Sequence, residues 1–208
     1  MKTQVRSYTD KQLLDRVKSL PSFKYLPEGR WIIGVRSTDD VPNSFDDKFY
    51  EYDNETFVRV LTGTTNAGEG ILRGGFKKYN KKGTAILKAD EWYYNVWSWG
   101  KHRGKMTALR QIGAKVKVYR DGNMNGKSEE VGSYTKGWYG INYHTNTYNF
   151  SLASLKIVKW TIGNWSAGCQ VINDRKQYID QMKWYENAYK NDDQLFVTYV
   201  LLNEFDPE

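Results

Sequence analysis

The chain has 208 residues and a mass of 24.3 kDa, a size that suits one domain with a buried core and argues against two. Eight Trp, 16 Tyr and 8 Phe make up 15% of it, beside 18 Gly, a balance that favours strands over helices. Apolar runs such as Trp31-Ile32-Ile33-Gly34-Val35 are too short to cross a bilayer, and the single cysteine, Cys169, excludes a disulfide framework within the chain.

The net charge of +7 is unevenly spread: residues 39–55 carry seven acids and one Lys, whereas residues 73–127 carry fourteen bases and three acids. A basic excess of that kind fits an anionic partner such as nucleic acid, lipid or a wall polymer, and equally a solvated face. Charge alone does not choose among them.

Residues 1–10 are polar and lack the apolar core of a secretory signal, so a chain made in the cytosol is expected. Thr9-x-x-Gln12 is a capping-box pattern; Leu13, Leu14, Val17 and Leu20 follow at helical spacing and Pro21 ends the run. Residues 1–29 therefore read as a short helical extension. From residue 30 the pattern changes to short β-type segments separated by Gly, Asn and Asp, at 31–35, 57–61, 85–88, 116–119, 139–143 and 156–160. This alternation predicts a mainly β domain, a sandwich or closed sheet, over residues 30–208. Tyr178, Met182, Tyr185 and Tyr189 then predict one C-terminal helix over 174–191, capped by Asn173 or Asp174, and the β-rich stretch 194–202 closes the chain.

With two histidines and one cysteine, the candidate catalytic groups are few. Cys169 lies in Gly163-Asn164-Trp165-Ser166-Ala167-Gly168-Cys169-Gln170-Val171-Ile172, a small-residue turn running into a strand. Gly168 leaves open backbone where a carbonyl can approach main-chain N–H groups, as an activated thiol requires. His144 stands 25 residues earlier, at the end of a strand-like alternation, where rigid scaffolds display reactive groups. A neutral imidazole beside the thiol would take its proton and later protonate a leaving amine. Read alone, each of these residues is more often a packing or surface side chain than a catalytic one.

Gly140-Ile141-Asn142-Tyr143-His144-Thr145 followed by Ser166-Ala167-Gly168-Cys169 resembles the His…Ser-x-Gly-Cys signature of L,D-transpeptidase-type catalytic domains, cysteine enzymes acting on peptidoglycan stem peptides. The likeness covers residues 138–202 well and 57–72 weakly, where Gly63-Thr64-Thr65-Asn66-Ala67-Gly68 stands in the place of that family's Thr-Pro-x-Gly turn; residues 73–137 look like an insertion. The resemblance implies Cys169 as nucleophile, His144 as base and acid, the Thr145 carbonyl as the group orienting the imidazole, and the N–H groups of Gly168 and Cys169, in the turn begun by Ser166, as the oxyanion site. Tyr139, Asn142, Trp165, His102 and Arg120 are expected around the substrate. Neither metal nor other cofactor is implied, and peptidoglycan or its stem peptides is the expected partner rather than nucleic acid.

The family has His where this chain has Ala167, and Arg or Asn where it has Val171, which turns the expectation from transpeptidation toward hydrolysis. The compact, basic chain, in which no secretory signal is visible, is also similar in character to phage-encoded wall-degrading enzymes, which sets its expected place of action at the bacterial wall.

Other readings stay open in the sequence. Trp97 and Trp99 beside His102 would give flat walls to a cleft or belong to the core. His102, His144 and Cys169 form the ligand set of a zinc amidase. Asp121-Gly122-Asn123-Met124-Asn125-Gly126 has oxygen ligands at calcium-loop spacing but Gly132 at the twelfth position, and reads better as a hairpin turn. A non-catalytic module that holds an anionic polymer is the principal rival to an enzyme.

Overall fold

The computed structural model describes residues 4–39, 41–75 and 80–207. Residues 76–79, part of the basic stretch and of the expected insertion, lie outside the described residues. The chain forms a mainly β fold built on a closed eight-stranded barrel and a separate three-stranded sheet.

The first helix, α1 (Asp10–Lys18), starts as the capping box predicts: Gln12 N–H donates to Thr9 Oγ1, and Thr9 N–H donates back to Gln12 Oε1. Its Leu13 and Val17 pack on Trp31, Ile33 and Val35 of β1 (Arg30–Arg36), while Ile32 faces the barrel interior. With both faces covered, β1 is buried almost throughout, which explains its unbroken apolar text.

β2 (Asp47–Asp53) and β3 (Thr56–Thr64) form a hairpin. β4 (Thr84–Leu87) leaves the barrel, and β5 (Glu91–His102) and β6 (Met106–Gln111) return to it as a long second hairpin. β7 (Val116–Asp121) and β8 (Thr135–Gly137) complete the small sheet in the order β4-β7-β8. Residues 73–137 supply two barrel strands as well as the separate sheet.

The barrel closes through β9 (Tyr143–Thr145), β10 (Gln170–Ile172) and β11 (Val197–Asn203), in the order β1-β11-β5-β6-β9-β10-β3-β2. Two of its contacts are parallel, β1 with β11 and β9 with β10. A short helix, α2 (Leu152–Leu155), lies between β9 and β10. The long α3 (Arg175–Asn191), capped by Asp174, packs Tyr178, Met182 and Tyr185 onto the aromatic interior of Phe49, Trp97, Tyr143 and Tyr199.

Two expected strands differ. In 139–143 only Tyr143 is strand. Gly140 has a φ of +68°, and the N–H groups of Tyr139 and Ile141 both donate to the Gln111 side chain instead of to a neighbouring strand. Residues 156–160 contribute only an isolated bridge, Val158 to Asp174, because no strand flanks them and their apolar side chains stay exposed.

The Asp121–Asn125 region is a longer connection than a tight hairpin. Asp121 accepts the N–H groups of Asn123 and Glu129, and Glu129 accepts both the Asn123 and Asn125 side-chain amides. Its carboxylate oxygens already have N–H donors, so calcium or a chelator is expected to leave the thermal unfolding midpoint unmoved; a calcium-dependent rise would contradict this. No helix among the described residues is long and apolar enough to cross a membrane.

Candidate active site

The parallel pairing of β9 with β10 places Val171 opposite His144 and Gln170 opposite Tyr143, which continues to Cys169 opposite Asn142. Because successive side chains alternate, Cys169, Val171 and His144 share the outer face, while Tyr143 and Ile172 point into the core. Interior hydrogen bonds lock both segments from behind. Trp97 Nε1 donates to Ile141 O at 2.7 Å, Tyr199 Oη donates to Gln170 Oε1 at 2.9 Å, and Gln170 Nε2 donates to Gly168 O at 3.3 Å. The reactive face therefore sits on a packed core.

The turn before the cysteine is held on three sides. Ser166 Oγ donates to Cys169 O at 2.9 Å and accepts the Gly168 N–H at 3.1 Å; Gly68 N–H donates to Ser166 O, and Ala85 N–H donates to Ala167 O. Gly168 has a φ of +128°, and a Cβ there would lie 2.1 Å from Ala85 O. Gly168→Ala is therefore expected to cost about 2 kcal/mol or more and to displace Cys169. Thermal unfolding would show the loss directly, and an unchanged midpoint would refute it.

These bonds correct the expected oxyanion site. The Gly168 N–H is already spent on Ser166, whose buried hydroxyl staples the turn rather than touching a ligand. Cys169 N–H makes no hydrogen bond among the described residues.

Cys169 and His144 line one cleft of about 1120 Å³, together with His102, Arg103, Arg120, Tyr139, Tyr148 and Trp165. The thiol, half-buried, donates to Gly140 O at 3.4 Å and not to the imidazole. His144 is buried; its Nδ1 donates to Thr145 O at 2.7 Å, so Nε2 carries the lone pair, and Nε2 has no hydrogen-bond partner among the described residues. An unpartnered buried acceptor is costly. Burial pushes the Cys169 thiol up to about 11, opposed by the Asn142 N–H and by Arg103. Burial and the neighbouring His102 hold His144 down to about 3. The resting pair is thus thiol and neutral imidazole, not an ion pair.

His102 enters from the end of β5. The three-residue turn Arg103-Gly104-Lys105 joins His102 to its strand partner Met106, with φ of +50° at Arg103 and +70° at Gly104, and Lys105 N–H donates to His102 O. The His102 ring stacks on His144 with centroids 4.5 Å apart. Gln111 N–H donates to Asn142 Oδ1, which turns Asn142 Nδ2 to donate to His102 Nδ1, so the His102 proton sits on Nε2. Asn142 is consequently a positioning residue rather than a lining one, and His102 offers the cleft an N–H donor.

Trp97 is fully buried in the core, and Trp99 packs beside Tyr189 and Lys190, so neither walls the cleft. The aromatic walls are Tyr139, under the Arg120 guanidinium at 4.8 Å, and Trp165, against Tyr148 at 5.0 Å. Tyr148 had no motif to mark it, whereas Arg103 belongs to the aromatic and basic stretch 97–105. Among the described residues no group of three or more His, Cys, Asp and Glu side chains is arranged to hold a metal ion; the Nδ1 atoms of both histidines are engaged by protein partners.

The cleft holds a thiol, a neutral imidazole with a free Nε2 lone pair, and N–H donors, the groups that acyl transfer through a thioester would require. Compared with known proteins, the chain matches no family model, no curated protein and no solved structure.

Proposed function

We propose that this chain is a cysteine-nucleophile enzyme of the L,D-transpeptidase type that cleaves peptide bonds in peptidoglycan stem peptides. One observation carries the reading: the only thiol opens onto the same cleft as a buried imidazole whose Nε2 lone pair has no partner among the described residues. The His…Ser-x-Gly-Cys resemblance supplies the substrate class.

In the first step His144 Nε2 takes the thiol proton as sulfur attacks the carbonyl carbon, so charge develops only with substrate in place. The Cys169 N–H and the His102 Nε2–H are the free donors on hand for the oxyanion. His144 then protonates the leaving amine, and the thioester remains on Cys169. Water attacks the thioester carbonyl, gives its proton to His144 and releases the acid, with the thiol re-formed.

Val171 and Ala167, standing where the similar family has polar groups, favour water over an amine as the acceptor. Incubation with purified stem peptides tests both parts. Cleaved product that disappears in Cys169→Ala supports the reading, cross-linked product reverses the preference for hydrolysis, and unaltered peptide sinks the activity. Because the resting thiol is neutral, turnover rather than alkylation speed separates an enzyme from a wall-binding module.

A further inference from the structure

The cleft is one-sided in charge. Its described lining holds two guanidiniums, Arg103 and Arg120, and no Asp or Glu. Elsewhere, Arg6, Arg16, Arg30, Arg36, Arg59 and Arg73 each pair with a carboxylate, while Arg110, exposed and outside the cleft, has no ion pair among the described residues. Buried Arg175 spends its donors on Asn146 and Ser154. Arg120 differs. Half-buried, it donates from Nη1 to Gly83 O at 3.3 Å and lies over the Tyr139 ring, yet it has no carboxylate partner among the described residues. Those two contacts fix the guanidinium while leaving most of its fork unused. A partly buried cation held in place without a counter-charge is a prepared anion site.

Its position relates it to the thiol. Arg120 pairs with Ala85 across the small sheet, and Ala85 O presses against Gly168, the residue before Cys169. One strand spacing of about 4.8 Å therefore separates the arginine backbone from the strand that touches the cysteine turn.

We infer that Arg120, aided by Arg103, binds a carboxylate of the ligand, so that peptides carrying a free carboxylate close to the attacked carbonyl are the ones this cleft accepts. The inference rests on the proposed reaction only for the phrase "attacked carbonyl"; the anion site itself is testable without turnover.

Cys169→Ala protein, which cannot form the thioester, is titrated by calorimetry with three probes: N-acetyl-alanyl-alanine as the free acid, the same peptide as its C-terminal amide, and N-acetyl-glutamyl-alanine amide. The two carboxylate-bearing groups of probes are distinguished by which binds: preference for the free acid means the site reads a chain terminus, preference for the glutamyl amide means it reads a side chain, and either supports the site. The preferred carboxylate probe is expected to bind roughly tenfold or more tighter than the neutral amide. Arg120→Gln in the same background should abolish that preference, and Arg120→Lys should keep part of it; if Arg120→Gln fails to fold, Arg103→Gln is read in its place and should weaken the preference. Equal binding of neutral and charged probes, no binding of any probe at millimolar concentration, or a preference that survives in the folded glutamine variant overturns the inference. Wild-type protein that hydrolyses nothing yet keeps the preference would refute the proposed reaction alone. Turnover without the preference would refute the anion site alone.

Discussion

Cys169→Ala is expected to lower kcat/KM on stem peptides by on the order of 10⁴-fold or more, and His144→Gln by on the order of 10³-fold, with the double variant little worse than Cys169→Ala. The non-additivity follows because base and nucleophile act in one step. The pH dependence is the sharper test. His144 must be neutral to accept the thiol proton, and its burial beside His102 holds it at about 3. Activity should therefore persist through weakly acidic pH, with the acid limb of kcat/KM below about pH 5, well under the limb of an unperturbed imidazole near pH 6.5. The Cys169 thiol, pushed up to about 11 by burial, should be alkylated by iodoacetamide roughly tenfold faster per pH unit through the neutral range, without a plateau. A plateau at neutral pH would mean a preformed thiolate and a different mechanism.

Glu51→Gln is expected to stabilise the fold at alkaline pH by roughly 3 kcal/mol and to change little at pH 4. Glu51 lies fully buried on β2, where it accepts from Gln181 Nε2 and meets Arg59 at 2.9 Å. Burial outweighs these partners and raises its pKa from the ordinary 4.5 to about 7. The folded state thus favours the protonated carboxyl. The resulting stability is fully present below about pH 4.5 and is lost as the pH rises through about 7. Wild-type unfolding midpoints should fall across that window, and the glutamine variant should flatten the fall. A midpoint that instead rises with pH over the window, or a variant with the same slope, would refute the assignment. The effect bears on the site as well, because Gln181 Nε2 also donates to Tyr143 Oη at 2.6 Å, and Tyr143 is the residue before His144.

The parts legible in the sequence were those set by neighbours along the chain. The Thr9–Gln12 box is satisfied within one turn, so α1 begins where the pattern places it. Tyr178, Met182 and Tyr185 at helical spacing bury the inner face of α3. Cys169 and His144 stood out because the chain offers no other thiol and one other imidazole. β5 was missed because its aromatics are buried on both sides of the strand, which erases the alternation that marks a half-exposed strand. The acidic text of β2 gave no sign that Glu51 is buried.

What the sequence by itself determined is the strand-rich character, the two flanking helices and the short roster of reactive side chains. Tertiary structure alone decided that β5 and β6 enter the barrel, that His102 stacks on His144, that Ser166 takes the Gly168 N–H, and that Arg120 reaches the cysteine turn through Ala85. The reason is that periodicity along a strand tells which face a side chain occupies but not which strand lies beside it. Pairing and register between distant segments are chosen by packing of the whole barrel, and every group that surrounds Cys169 from another strand arrives by that choice.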